Sequence, residues 1–372
     1  MKKVAIIVGT RPEAIKLIPL FLYLKKNGDG LGLKPILVST GQHKEMLDQI
    51  FQFFEVVPDV SLSVMSANQT LVDLSASLIK ALGRVIDEMS PDLLIVQGDT
   101  TSAMIGSLIG FYSRIRVGHV EAGLRTYNRF SPYPEEVNRQ IIGITADFHF
   151  APTQKAYEIL LSENKEIVVN VGNTVIDSLN LCLKKVLKQK GQYVKKFKSK
   201  LDKDKLVLVT GHRRENFGTG FENICNSLAI LAKKYQDTRF VYPVHLNPKV
   251  KNVVTEKLSG ISNISLLSPL PYDDLVFLMS QSYLILTDSG GIQEEAPTLN
   301  VPLLVMRDTT ERPEGIDAGC AMLVGTDQES IIGSFEKIVS DRSLYDKMSY
   351  EPNPYGDGKT ASRIAKYLSE HL

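Results

Sequence analysis

The sequence predicts an α/β protein of two halves, each built on a parallel sheet. Three observations carry this reading. Short runs of Val, Ile and Leu recur without polar alternation, Val4-Ala5-Ile6-Ile7-Val8 and Leu93-Leu94-Ile95-Val96 among them, as expected of strands covered on both faces. The segments between most of these runs are long enough for a crossover helix, and repeated βα units build parallel sheets. A lysine-rich stretch over 184–205, in which Gly191-Gln192-Tyr193 interrupts the helical pattern, reads as a surface connection, and a fresh βα series begins at Lys205.

Strands are expected at 3–8, 34–39, 92–97, 116–120, 147–151 and 166–171 in the first half. In the second half they are expected at 205–210, 239–244, 263–267, 283–287, 302–306 and 321–324. A helix opens at Pro134-Glu135-Glu136, and another is expected over Ile292 to Leu299. The last segment sets Ala361, Ile364, Ala365 and Leu368 at helical spacing, so it must cover apolar surface, and the first domain can supply it. The expected division is residues 1–173 with a returning helix at 358–372, and residues 174–357. A chain of 372 residues is long for a single core, which agrees with two domains.

Charge and cysteine content narrow the class. The formal net charge is +1, so no global field draws the chain to nucleic acid or to a membrane surface, and an anion must be held by local arginines and backbone amides. The three cysteines, Cys182, Cys225 and Cys320, are far apart, which argues against a disulfide framework or a zinc site and suits a reducing compartment. The chain opens on a strand and holds no apolar run of about 18 residues, so a cytoplasmic protein is expected. Two glycine patterns are decoys. Gly358-Lys359-Thr360 ends like a phosphate loop, but Asn353 stands where its first glycine is required. Gly28-Asp29-Gly30-Leu31-Gly32 has the wrong spacing for a dinucleotide fingerprint and reads as a turn, so nothing supports NAD.

The chemistry-bearing residues lie just past the ends of the apolar runs, where open α/β sheets bind their ligands. Gly9-Thr10-Arg11-Pro12-Glu13 follows the first strand; Gly9 lets a ligand approach the backbone and Arg11 can reach a phosphate. Asp99, Glu121 and Glu135 come from three successive connections, with Arg125 and Arg139 nearby. Carboxylates crowded by arginines acquire separated pKa values, the basis of acid and base roles. His212, in Gly211-His212-Arg213-Arg214-Glu215, is suited to holding a phosphate or protonating a leaving group. Asp288-Ser289-Gly290-Gly291 joins a strand to a helix and offers backbone N–H groups to an anion, with Ser289 also placed as an N-cap. Glu294 and Glu295 follow on that helix, where a carboxylate can hold ribose hydroxyls, and Arg307 and Arg312 flank the next loop. His43, His119 and His245 fall in strand-end loops, whereas His149 falls inside a strand and reads as a core residue.

Taken together these motifs resemble the non-hydrolysing UDP-N-acetylglucosamine 2-epimerases of bacteria. The likeness runs in order from Gly9-Thr10-Arg11-Pro12-Glu13-Ala14-Ile15-Lys16 through Thr40-Gly41-Gln42-His43, Gln97-Gly98-Asp99-Thr100-Thr101 and Gly118-His119-Val120-Glu121-Ala122-Gly123-Leu124-Arg125. It continues through Ser131-Pro132-Tyr133-Pro134-Glu135-Glu136, Thr210 to Glu215, Pro243-Val244-His245-Leu246-Asn247-Pro248, Thr287 to Pro297 and Met306 to Glu314. Tyr133 stands where relatives often have tryptophan, and Tyr127-Asn128-Arg129-Phe130 has no close match.

The resemblance implies a glycosyltransferase-B-like fold of two Rossmann-like domains facing a cleft, a homodimer, and interconversion of UDP-GlcNAc and UDP-ManNAc for cell-surface polysaccharide synthesis. It implies catalytic roles for Asp99, Glu121, Glu135 and His212. It implies substrate binding by Arg11, Ser289, Gly290, Gly291, Glu295 and Arg312, with Lys16 and Arg139 grouped with them. Gln42, His43, Arg214 and His245 match residues of a second UDP-GlcNAc site that activates many members. No cofactor and no metal are called for.

The chemistry agrees. A sugar C2–H is not acidic without an adjoining carbonyl, and making one by oxidation needs NAD. Elimination avoids this: a base takes the C2 proton while UDP leaves C1, and UDP re-adds as a proton arrives on the other face. That route needs retained UDP, acid/base groups at C2 and cationic charge on the diphosphate. Other readings remain: a 2-epimerase of another UDP-sugar such as UDP-2,3-diacetamido-glucuronate, a hydrolysing epimerase, a UDP-dependent glycosyltransferase, or a non-catalytic UDP-sugar sensor.

Overall fold

The computed structural model describes residues 1–42, 44–66 and 69–372. They divide into two compact units, Met1–Leu181 with Tyr355–Leu372, and Cys182–Pro354. In the first unit the order is β1 (Lys2–Val8), α1 (Arg11–Leu31), β2 (Leu33–Ser39), α2 (Lys44–Phe54), β3 (Val60–Ser61), α3 (Leu71–Met89), β4 (Leu93–Gln97) and α4 (Thr101–Tyr112). It continues with β5 (Arg116–Val120), α5 (Glu135–Thr145), β6 (Phe148–Ala151), α6 (Gln154–Ser162), β7 (Val168–Asn170) and α7 (Thr174–Lys188), within which the division falls. The second unit holds α8 (Lys190–Lys196), β8 (Lys205–Thr210), α9 (Thr219–Lys234), β9 (Thr238–Pro243), α10 (Pro248–Leu258), β10 (Ile264–Leu267), α11 (Tyr272–Ser280) and β11 (Leu284–Thr287). It ends with α12 (Gly290–Glu295), β12 (Leu303–Val305), α13 (Pro313–Asp317), β13 (Ala321–Leu323), α14 (Gln328–Ser340) and α15 (Arg342–Tyr350); α16 (Thr360–His371) belongs to the first unit.

Both sheets are parallel. Among the described residues the first has the order β3-β2-β1-β4-β5-β6-β7 and the second β10-β9-β8-β11-β12-β13. Each is doubly wound, and its strand order reverses between two central strands: β1 and β4 in the first unit, β8 and β11 in the second. Ligand crevices of such sheets open outside the carboxyl ends of those strands. The twelve expected strands all form. Val4 to Val8 and Leu93 to Val96 are each wholly buried, the two-sided covering that their unbroken apolar runs required. The added strand, β3, is two residues long and pairs Val60 with Val38, too short to leave a pattern.

Helix packing closes the units. On α3, Leu74, Leu78, Leu82 and Ile86 repeat every four residues, are all buried, and join the core under β1 and β4. On α16, Ala361, Ile364, Ala365 and Leu368 are buried, and its start is capped by Asp177 of α7, which accepts from the N–H of Thr360 (3.2 Å) and Ala361 (3.0 Å). Ser369 then donates to the Leu31 carbonyl at 2.8 Å. No helix of the described residues is long and apolar enough to cross a membrane.

Three local expectations are corrected. Gly28 to Leu31 lie inside α1 rather than in a turn; the chain turns at Gly32, whose left-handed φ of 69° caps the helix. Gly191 does not break the chain, because α8 runs through it. The cause is tertiary: Tyr193 and Phe197 stack on Phe277 at 5.3 and 5.8 Å, and the Tyr193 hydroxyl donates to Asp273 at 2.7 Å. The segment is a surface connection, most of its residues exposed, that Tyr193 and Phe197 dock on the second unit. The single helix expected over 292–299 is instead α12, starting at Gly290, followed by a 3₁₀ turn over Ala296–Leu299.

Candidate active site

In the first unit the site grows from the turns after β1, β4 and β5. Thr10 caps α1, and Arg11 and Pro12 occupy its first two positions, so Pro12 sits one residue later than the first helical position. Glu13, three residues after Thr10, folds back. Its Oε2 accepts from the N–H of Gly9 (3.2 Å), the N–H of Thr10 (2.7 Å) and the Thr10 hydroxyl (2.7 Å), while Oε1 accepts from the Thr100 hydroxyl (2.8 Å). Glu13 thus ties the β1 turn to the β4 turn. Burial raises its pKa to about 7 against the pull of those donors. Gly9 is required by crowding: a Cβ there would meet Ser102 Oγ at 2.2 Å and Thr40 Oγ1 at 2.7 Å. Ser102 also donates to Gln42 at 2.8 Å, which brings that predicted second-site residue onto the same edge. His43 lies outside the described residues.

Asp99 follows β4. Its Oδ2 receives Nη2 and Nε of Arg139 at 2.5 and 3.0 Å, and its carbonyl accepts from Asn138 at 2.9 Å. Arg139 and Asn138 belong to α5, so these contacts lock the Asp99 turn to the helix that Glu135 begins. Glu135 itself is half-buried at the first position of α5. Glu121 follows β5 with φ at +62°, a region that costs a β-carbon residue of order 1–3 kcal/mol and concentrates at functional sites. Its Oε2 receives Lys16 Nζ at 2.5 Å and Gln97 Nε2 at 2.6 Å, and both Glu121 and Lys16 are buried.

Two residues are elsewhere than expected. Arg125 does not face these carboxylates; Glu163 takes its guanidinium through two bonds of 2.8 and 2.7 Å. His119 is not in a loop but on buried β5, where Nε2 meets the Gly98 carbonyl at 2.7 Å. Burial pulls its pKa down to about 3, so it stays neutral and donates, holding the turn that carries Asp99. His149, as expected, is a buried core residue, its pKa lowered by burial to about 4.

Glu136, next to the predicted Glu135, is fully buried and organises the loop ahead of α5. It accepts from the N–H of Thr126 (2.9 Å) and of Tyr127 (3.0 Å) and from Gln140 (2.7 Å). Burial pushes its pKa up, but these donors and Arg139 outweigh it and leave the carboxyl below its usual range. The loop they pin carries Tyr127, Phe130 and Tyr133, all exposed.

In the second unit the site grows from the turns after β8 and β11, the two strands at the reversal. His212 and Arg213 follow β8, and Asp288 follows β11. Asp288 Oδ2 accepts from the N–H of His212 and of Arg213, both at 2.8 Å, and from Asn216 at 3.3 Å. The His212 ring stacks on His245 at 5.2 Å and 11°, so a predicted second-site residue touches the predicted catalytic one. Partial burial lowers the His212 pKa, with Asp288 pushing it back up and His245 and Arg213 pushing it down. Arg214 is exposed on the short turn after Arg213.

Ser289 stands at the N-cap position of α12, but its side chain makes no capping bond; its N–H donates to Thr287 Oγ1 at 2.9 Å. Gly290 packs under the Arg312 guanidinium, where a Cβ would come within 2.8 Å of Cζ. Arg312 is held there by Glu294 (2.8 Å) and Glu311 (3.1 Å), and Glu295 accepts from the Tyr272 hydroxyl at 2.5 Å. Arg307 is buried against Glu215 at 2.6 Å, which makes it part of the frame.

Sequence reasoning assigned no role to Asp288, Glu136, Gln97 or Glu13. Only Glu13 left a local signal, the three-residue spacing to Thr10 of a capping box. The partners of Asp288 and Gln97 are 76 and 24 residues away.

The family model for UDP-N-acetylglucosamine 2-epimerase matches residues 27–369. The chain belongs to this family of enzymes. It is similar to the UDP-N-acetylglucosamine 2-epimerase of Campylobacter jejuni, at 47% identity over 99% of this chain and 97% of that protein. The crystal structure of the Neisseria meningitidis UDP-GlcNAc 2-epimerase bound to UDP-GlcNAc superposes with a TM-score of 0.93, at 44% identity, covering 99% of this chain and all of that one. A glycosyltransferase from Rickettsia africae, 14% identical, shares the two-domain fold alone, with a TM-score of 0.63 over 100% of this chain and 99% of its own. The α/β architecture of two parallel-sheet, Rossmann-like domains is thus that of the family.

Proposed function

We propose that this enzyme inverts C2 of UDP-GlcNAc to give UDP-ManNAc by eliminating UDP and adding it back, without releasing free sugar. The observation that carries the reading is the constrained set of carboxylates on the first unit. Glu121, whose backbone is left-handed, has its carboxylate bound by Lys16 and Gln97, Asp99 is clamped by Arg139, and Glu135 opens the helix that carries the clamp. A transferase leaves the donor's C2 proton untouched and needs no such set. The likeness to an enzyme crystallised with UDP-GlcNAc supports the substrate.

In this mechanism two of Asp99, Glu121 and Glu135 handle the C2 proton, and the third orients the sugar. Asp99 is ion-paired to Arg139 and Glu121 to Lys16, which fixes where each carboxyl group stands. On the second unit His212, Arg312 and the amides of Ser289 to Gly291 hold the diphosphate as charge develops on it. Glu295 takes the ribose hydroxyls. A second UDP-GlcNAc bound near His245 would act on catalysis directly, because that ring lies on His212.

Proton NMR of the protein with UDP-GlcNAc in D₂O tests the reading. The expected product is UDP-ManNAc with deuterium at C2 and the UDP linkage intact. Free ManNAc with free UDP identifies a hydrolysing enzyme, and an unchanged spectrum from folded, UDP-binding protein refutes this substrate.

A further inference from the structure

We propose that Asp288 is the positioning residue of His212, fixing the imidazole with its proton on Nδ1 so that Nε2 faces the diphosphate. The inference rests on the reaction proposed above. The Asp288 side chain is entirely buried. Its Oδ2 is fully used, by the N–H groups of His212 and Arg213 and by Asn216. Its Oδ1, equally buried, has no hydrogen-bond partner among the described residues and lies 3.7 Å from His212 Nδ1. A loop staple needs only the first oxygen. An acceptor buried without a donor is destabilising, and small motion of the ring supplies the missing donor.

The surroundings favour motion in that direction. His245, from the loop after β9, covers one face of the imidazole at an interplanar angle of 11° and leaves it to slide in its own plane. The charged and titratable groups around the ring are Asp288 from the β11 turn, His245 from the β9 turn and Arg213 beside it. Arg213 and His245 disfavour the imidazolium, and Asp288 is the group that favours it. With Nδ1–H given to Asp288, neutral His212 presents a bare Nε2, and protonated His212 presents an Nε2–H donor to the leaving phosphate oxygen. Asp288 orients the ring and moves no proton.

The first test uses the unaltered protein with ¹⁵N-labelled histidine and UDP alone, the His212 signals being assigned by their loss in His212→Gln. The expected pattern is the Nδ1–H tautomer, passing to imidazolium as pH falls; an Nε2–H tautomer overturns the proposal. The second test is Asp288→Asn. The amide oxygen still accepts the loop N–H groups, but the amide nitrogen now faces Nδ1 and donates to it, forcing the wrong tautomer. Expected are a fall in kcat of about 100-fold or more, a Kd for UDP within about threefold of the parent, and an alkaline limb of the kcat profile moved to lower pH. A folded variant with kcat within threefold and an unmoved profile overturns the proposal. If the parent does not epimerise UDP-GlcNAc, the reaction reading falls, while the tautomer measured with UDP still decides the role of Asp288.

Discussion

Acidification from pH 7.5 to 5 should load the first unit through three buried groups, two working one way and one the other. His119 and His149 are held neutral in the folded protein, with pKa values lowered by burial to about 3 and about 4. In the unfolded chain both titrate near 6.5, so below that pH the unfolded state binds protons the folded state does not, and stability falls as pH falls. From 7.5 to 5 each costs about 2 kcal/mol, about 4 together. Glu13 acts oppositely. Its pKa is raised by burial to about 7 from 4.5, so the folded state takes up a proton first, and stability lost above pH 7 returns on acidification, about 2 kcal/mol over the same range. The parent should therefore lose about 2 kcal/mol from these groups, His119→Gln almost nothing and Glu13→Gln about 4. The assay is urea unfolding by circular dichroism at pH 7.5, 6 and 5, each midpoint shift multiplied by the m-value. Titrations common to the three proteins cancel in the comparison. Equal pH dependence in all three would refute the reasoning.

Other outcomes follow from single contacts. Gly290→Ala places a Cβ against the Arg312 guanidinium and should weaken UDP binding by about 10- to 100-fold in calorimetry, the worth of one charged hydrogen bond; an unchanged Kd removes Arg312 from the diphosphate site. Of Asp99→Asn, Glu121→Gln and Glu135→Gln, the two at the positions that handle the C2 proton should lower turnover by about 10²- to 10⁴-fold while UDP binding holds. Turnover within tenfold of the parent in all three would end their acid/base assignment. Glu136→Ala frees the N–H groups of Thr126 and Tyr127, so tryptic cleavage after Arg129, followed by mass spectrometry, should speed up about tenfold or more. Cleavage at the parental rate would show that the loop is held by other contacts.

The sequence by itself determined the strands and most of the turns that carry chemistry. Strands covered on both faces must be apolar at every position, and that composition is written locally, as in Val4 to Val8. The βα turns were legible for a related reason, since Thr10 and Pro12 answer to the backbone immediately around them. Partner choice was not legible, because it depends on which strands lie side by side. Arg125 and the carboxylates are close in sequence, yet Glu163, reached by folding, takes the guanidinium. Gly191 weakens a helix locally, yet the stacking of Tyr193 and Phe197 on Phe277 outweighs it. His212 and Asp288 stand 76 residues apart and meet only because β8 and β11 are neighbours at the reversal of the second sheet. Local periodicity reports whether a residue is buried; only the order of strands in the sheet decides against what.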